Sequence, residues 1–266
     1  MKLLIVCVNY NSYSELTSYL TSINFAASKV RNIQVDISIA DNSTSVEEVT
    51  YDSYSYVKVS VTKLNNVGYL IGAQTVINSI ANILDYDYVA ISNVDITVAE
   101  NFFINLENII IAQDVAWIAP KIFSKVENRD RNPKVISRYS KKKLQLLYYM
   151  YKIPVLYYLY TMSAYQCKKL QVNYPEIDIY AGHGSFILLT RSFFESNRKI
   201  EYPIFLFGEE LFLAEIVMKA GKKVRYVPNL VIEDNEHIST STLKKKTYFK
   251  YNRESIKYIL DTFYHE

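Results

Sequence analysis

Leu3-Leu4-Ile5-Val6-Cys7-Val8-Asn9-Tyr10-Asn11 opens the chain with a continuous apolar run that stops at Asn9, with a second asparagine two residues on. A strand with one wet face alternates polar and apolar residues, so an unbroken run predicts a strand covered on both faces. Next, Ser14 to Phe25 sets Leu16, Leu20 and Ile23 at helical spacing behind Ser12 or Ser14 as the cap. Val35 to Ala40, Tyr56 to Val61 and Tyr88 to Ser92 read as further strands, with a glycine-bearing turn and a helix over Gly72 to Leu84 before the last. This βαβ series predicts an α/β fold, a mostly parallel sheet flanked by helices. Ligands of such sheets bind beyond the carboxyl ends of the strands. Chemistry is therefore expected at Asn9 and Asn11, at Asp41-Asn42-Ser43, and from Asn93 to Asp95.

Composition bounds the reading. With 266 residues, 50% of them hydrophobic, the chain can bury one large or two small cores and is not a disordered tail. The 30 Lys and Arg against 27 Asp and Glu leave +3, without the basic excess of a general nucleic-acid binder. Cys7 and Cys167 stand far apart outside any CxxC, which argues against a disulfide scaffold or structural zinc and for a reducing cytoplasm. The opening apolar run lacks the small-residue cleavage site of a signal peptide and reads as a strand. The best candidate for a membrane span, Leu144 to Met162, is interrupted by Lys152 and Pro154.

From about 119 to 175 the pattern changes to a charged stretch, a Lys141-Lys142-Lys143 run and an aromatic-rich segment, which we read as an insertion. Strand character returns at Ser185 to Thr190 and Lys223 to Val227, with a helix over Glu209 to Ala220 between them. Thr242 to Tyr264 has helical spacing.

Asp95 follows an apolar strand, where a carboxylate can hold Mg²⁺ or Mn²⁺ against phosphates or simply cap the next element. Asn65 to Gln74 carries Gly68 and Gly72 four apart, suited to a tight turn and a close backbone approach to phosphate, or to a plain helix start. Its spacing matches neither GxGxxG nor a Walker loop. Glu209 and Glu210 open a helix, as dipole-complementing acids or as a general base with a raised pKa. His183, between Gly182 and Gly184, and His237, after an acidic run, are candidate metal or phosphate contacts or ordinary structural histidines.

Read in order, these positions resemble the inverting glycosyltransferases of family 2, with the GT-A (Rossmann-like) fold, in particular the bacterial rhamnosyltransferase-like members. The resemblance rests on Val8-Asn9-Tyr10-Asn11, Asp41-Asn42-Ser43, Asn66-Val67-Gly68-Tyr69 with Gly72, and Ser92-Asn93-Val94-Asp95 at the place of the DXD-type metal motif. It continues through His183-Gly184-Ser185-Phe186, Phe207-Gly208-Glu209-Glu210 at the place of the catalytic Glu-Asp motif, Ala220 to Pro228, and Tyr248 to Arg253. The first acidic position of the metal motif is Asn93, and Glu210 stands at the usual Asp. The resemblance implies a GT-A domain over 1–240, with a nucleotide-sugar half to about 118, an acceptor half from about 176, and a helical tail over 241–266. It implies nucleotide contacts at Asn9, Asn11, Asp41, Ser43, Asn66, Gly68 and Asn93, and a divalent metal, Mn²⁺ or Mg²⁺, at Asp95 and His237. Glu210 would be the catalytic base with Glu209 as the alternative, and His183, Gly184 and Ser185 would line the acceptor side. The implied partners are a nucleotide diphosphate sugar donor and a glycan or lipid-linked acceptor in bacterial surface polysaccharide synthesis, not nucleic acid. A non-catalytic nucleotide-sugar-binding module and a nucleotidyltransferase are the alternatives. Lys141 to Lys143 beside Leu144 to Tyr160 is expected either to meet the cytoplasmic face of a membrane or to pack on the catalytic domain or a second subunit, as a homodimer.

Overall fold

Leu3 to Val8 form the body of β1 (Lys2–Asn9), and a computed structural model shows why the run needs no alternation. Leu4 and Val6 face one buried apolar cluster, and Leu3, Ile5 and Cys7 face another on the opposite side of the sheet. The structure describes residues 1–45, 47, 51, 53–158, 173–235 and 244–265.

β1 pairs in parallel with β2 (Gln34–Asp41) and β4 (Tyr88–Ser92), and β2 in parallel with β3 (Lys58–Lys63). Asn9 aligns with Asp41 and Cys7 with Ser92, so the polar residues ending these strands share one edge. β3 lies two residues beyond the expected span because it is a sheet edge: only Val59 is partly buried, which leaves little apolar pattern to read. Of the connecting helices, α1 (Tyr13–Ala27) starts after Ser12, whose side chain makes no cap hydrogen bond. α2 (Tyr69–Ser79) starts after Gly68, earlier than expected, and gives way to a 3-10 turn at Ile83–Asp85.

The rest of the chain is β5 (Ile96–Val98), α3 (Phe102–Asn108), β6 (Val115–Ser124), β7 (Arg129–Asp130), α4 (Lys141–Lys152), β8 (Ile177–Ile179), β9 (Phe186–Thr190), α5 (Arg191–Ser196), α6 (Glu209–Lys219), β10 (Lys223–Asp234) and α7 (Lys245–Phe263). The strand order is β3-β2-β1-β4-β9-β6-β10-β5, with β7 on β6 and β8 on β10. β9 runs antiparallel to both β4 and β6, so the sheet is parallel from β3 to β4 and mixed beyond. Helices flank it, giving an α/β fold. β6 crosses the boundary expected near 119, since Ala119 and Ile122 are sheet interior. β10 runs on to Asp234, past the expected Val227; its register shifts between Val227 and Val231, where Pro228 cannot donate to the ladder.

α7 is docked rather than loose, burying Ile256 and Ile259 and running along α4. A buried polar joint fastens its end. Glu215 on α6 accepts two hydrogen bonds from the Arg138 guanidinium (2.8 and 2.9 Å) and one from Tyr180 Oη (2.6 Å), while Arg138 stacks on Tyr264. Removing one partner strands the other's charge, which is the costly way to break a buried pair. Arg138→Ala is therefore expected to cost about 3 kcal/mol, the low end for such a break because Arg138 itself reaches solvent, read as a lower urea midpoint at unchanged slope.

Candidate functional site

At the carboxyl edge of β1 and β2, Asp41 is buried and fully committed. Its Oδ1 accepts from Asn9 Nδ2 (3.2 Å) and the Ser43 amide (3.1 Å), and its Oδ2 from Tyr13 Oη (2.9 Å) and the Lys63 ammonium. Burial alone would raise its pKa, but Lys63, Ser43 and Tyr13 outweigh it and hold the carboxyl below the ordinary range. Asn11, in the left-handed region at φ 52°, bridges the loops after β1 and β2: its amide donates to Ser43 Oγ (2.8 Å) and its Oδ1 accepts from the Thr44 amide (3.0 Å). Asn66 lies in the exposed loop before α2.

Gly68 has φ 96° and lies so close to Phe205 that a β-carbon there would overlap the Phe205 carbonyl oxygen. That oxygen accepts the Tyr69 amide (3.2 Å), and Asn42 Nδ2 holds the Gly68 carbonyl (2.9 Å). Tyr69 then reaches across the cleft, its Oη donating to the Gly184 carbonyl (2.8 Å). Burial, and then the charges of Glu209, Glu210 and Asp95 among its neighbours, push the Tyr69 phenol well above its ordinary pKa. Asp95 and the glutamate pair thus act on one phenol from different elements of the fold.

On the opposite wall the Asn93 amide donates to the Ser185 carbonyl (2.9 Å), and the Gly184 amide donates to Glu210 Oε1 (3.3 Å). A β-carbon at Gly184 would stand 2.8 Å from Glu209 Oε1 and 3.2 Å from Glu210 Oε1, so both carboxylates close on this glycine. Lys134 Nζ lies 4.0 Å from Glu210 Oε1. Burial first, and then the charge of Glu210, push the Glu209 carboxyl up to about 8. His183 is held well below its ordinary pKa by burial and by Lys134, Arg131 and Arg129. Its backbone amide is fixed by Asn132 Oδ1 (2.8 Å), and the Ser185 amide donates to its Nδ1 (3.2 Å), an arrangement that assigns the ring proton to Nε2.

Among the described residues no group of three or more His, Cys, Asp and Glu side chains is placed to hold a metal ion. Asp95 is a hard oxygen donor, partly exposed at a strand end, and suits Mg²⁺ or Mn²⁺ only where diphosphate oxygens and water complete the shell. His237 lies outside the described residues.

No family model matches the chain, and no curated protein matches it in sequence. Solved structures match it in shape. S. aureus TarS in complex with UDP-GlcNAc superposes with TM-score 0.58 at 10% identity, over 100% of this chain and 68% of that one. GalNAc-T7 with UDP, GalNAc and Mn²⁺ gives 0.55 at 12% identity, over 98% and 48%. The mannosyltransferase PcManGT from Pyrobaculum calidifontis with GDP-Man and Mn²⁺ gives 0.52 at 10%, over 90% and 58%. The fold is GT-A. The chain spans between about half and two thirds of each of these three.

Within this GT-A cleft the sequence reading overlooked Tyr13 and Lys63 on Asp41 and Asn132 and Lys134 behind His183 and Glu210, and it quoted Tyr69 in the Asn66-Val67-Gly68-Tyr69 motif without assigning it a contact across the cleft. Tyr69 was visible, since a tyrosine at the start of a helix behind glycine is placed to face a ligand edge. The others come from neighbouring strands and loops, and no local spacing marks them.

Glu209 gives the site a pH signature. Its proton is held up to about pH 8 in the folded chain against an ordinary 4.5, so the unfolded chain ionises first and folding weakens as pH rises through that window. Glu209→Gln cannot ionise. Its melting temperature is expected to rise relative to wild type from about pH 5 to about pH 8 and then run parallel, which differential scanning fluorimetry across that range would read.

Proposed function

We propose that this chain is an inverting glycosyltransferase of family 2, of the rhamnosyltransferase-like kind, moving a sugar from a nucleotide diphosphate donor to a hydroxyl of a glycan or lipid-linked acceptor. The observation that carries the reading is the convergence of Tyr69, Gly184 and the Glu209-Glu210 turn on one cleft at the carboxyl edge of the sheet, where the Asn93 amide, two residues before Asp95, is bonded to the Ser185 carbonyl. The named ligands of the GT-A neighbours support a nucleotide-sugar donor.

In this reading the nucleoside lies over β1 and β2. Asp41, already bonded to four donors, acts by fixing Asn9, Ser43 and Lys63, while Asn11 and the loop at Asn66 and Gly68 supply contacts. Asp95, with Asn93 beside it, holds the diphosphate end. A divalent cation bound there supplies charge neutralisation for the leaving diphosphate. Glu209, pushed up by burial and by its neighbour, keeps its proton near neutral pH. Glu210 takes the acceptor hydroxyl proton, the oxygen bonds to the anomeric carbon from the face opposite the nucleotide, and the bond to the diphosphate breaks, giving inversion in one displacement. His183 and Ser185, fixed by Asn132 and by each other, line the acceptor side. We place the work in the cytoplasm, in surface polysaccharide synthesis. A binding-only role is the second reading, favoured by Asn93 where the metal motif has an acid.

A thermal-shift screen of nucleotide sugars with and without Mn²⁺ tests the donor, since a ligand of the folded state raises stability by mass action. Glu210→Gln is expected to lower transfer by about 10²- to 10⁴-fold while donor affinity stays within about threefold. Asp95→Asn should abolish the Mn²⁺ increment of nucleotide binding. Donor binding without product from any acceptor would favour the second reading, and no response to any nucleotide sugar would defeat both.

A further inference from the structure

α4 has two apolar faces. Leu144 and Met150 are buried, and Leu147, Tyr148 and Tyr151 pack against the core. The other stripe is Leu146 and Tyr149, at the i, i+3 spacing of one helix face and exposed at 55% and 51%, followed by Ile153 at the helix C-cap, exposed at 45%. It continues beyond the helix through Val155 (65%), Leu156 (40%) and Tyr158 (42%). Nothing in the described chain covers this surface.

Its frame is basic. Lys142 lies one turn before Leu146 on the same face, and Lys152 stands over the rings of Tyr148 and Tyr149, 5.9 Å from each. α7 contributes a second basic edge, joined to the first through the Tyr157 and Phe249 rings (5.0 Å) and by Lys245, 5.5 Å above Tyr158. No Asp or Glu occurs between 139 and 158 or between 244 and 253, while Lys244, Lys245 and Lys246 open α7. The acids further along α7, Glu254 and Asp261, pair with Lys250 and Lys257 of the same helix.

We infer that the α4 stripe and the first turn of α7 together form a docking surface for an anionic phospholipid bilayer. Leucine, isoleucine and valine side chains would enter the acyl boundary, tyrosines sit at headgroup level, and the lysines meet anionic headgroups. No helix among the described residues is long and apolar enough to cross a membrane. A second copy fits poorly. A two-fold contact through this patch pairs it with the same patch of the second copy, which offers lysines and no acid between 139 and 158 or between 244 and 253 to receive Lys142 and Lys152. A nucleic acid would satisfy the lysines and leave the aliphatic stripe uncovered. The inference rests on this surface alone and is independent of the transfer reaction.

The test is sedimentation of the whole chain with vesicles of phosphatidylcholine and of phosphatidylcholine mixed with phosphatidylglycerol, at low and high salt. Expected is pelleting with the mixed vesicles only, weakened by salt. Lys142→Glu with Lys152→Glu should lower the partition by at least about tenfold. Leu146→Ser with Ile153→Ser should lower it comparably, and unchanged melting temperatures would show that both variants fold. Absence of pelleting with either vesicle, or equal pelleting with both, would overturn the inference. So would a concentration-dependent dimer in light scattering that either variant dissolves.

Discussion

The crossing of Gly68 over the Phe205 carbonyl is the contact on which the cleft depends. No side chain fits there, so the start of α2 and the loop leading to Glu209 touch backbone to backbone, joined by the Tyr69 amide. The loop is held equally firmly behind. Phe205 stacks on Tyr251 of α7 at 5.1 Å, and Tyr202 Oη donates to the Phe207 carbonyl at 2.6 Å. Phe207 itself sits at φ 69°, a region costing a bulky residue on the order of 1 kcal/mol or more, and its ring rests edge-on against Tyr248. Gly208 completes the turn at φ 83°, where a β-carbon would collide with Ser255 Oγ. The two glutamates are thus placed by a loop gripped between α2 and α7, and the C-terminal helix is part of the site's scaffold.

Most of the architecture was legible because the strands are either wholly buried or end in polar residues. Leu3 to Val8 and Tyr88 to Ser92 announce themselves by unbroken apolar runs, and their register carries Asn9 beside Asp41. Legibility failed where local pattern carries no tertiary information. β3 has one half-buried apolar residue, so its position is set by pairing with β2. β6 looked like the beginning of an insertion because its end runs into the charged stretch that becomes β7, although Val115 to Ser124 is sheet throughout. β9 reads as any buried strand; its reversal between β4 and β6 is a matter of topology that no periodicity records.

The aromatic segment shows a different ambiguity. A helix whose two stripes are both apolar gives no sequence signal for which one faces the core. Packing decides: Tyr148 and Tyr151 turn toward the core, Tyr151 also meeting the Tyr248 and Phe249 rings of α7, while Leu146 and Tyr149 turn out. The expectation that this segment packs on the domain holds for Leu144, Leu147, Tyr148, Met150 and Tyr151, while Leu146 and Tyr149 lie exposed on the other side of the helix.

The cleft also holds carboxylates in opposite states. Asp41 is surrounded by donors, Lys63 foremost, so its charge is stabilised against burial and stays fixed. Glu209 meets burial and a second carboxylate, with Lys134 as only a distant counterweight, so it keeps a proton into the neutral range. The first arrangement suits a framework that must not change protonation while a ligand comes and goes. The second keeps one proton on the pair into the neutral range, because two adjacent buried carboxylates resist carrying two charges. The difference in environment follows from the fold. Asp41 ends a strand among loops rich in hydroxyl and amide donors, whereas Glu209 and Glu210 are adjacent in one helical turn that Gly184 closes from above.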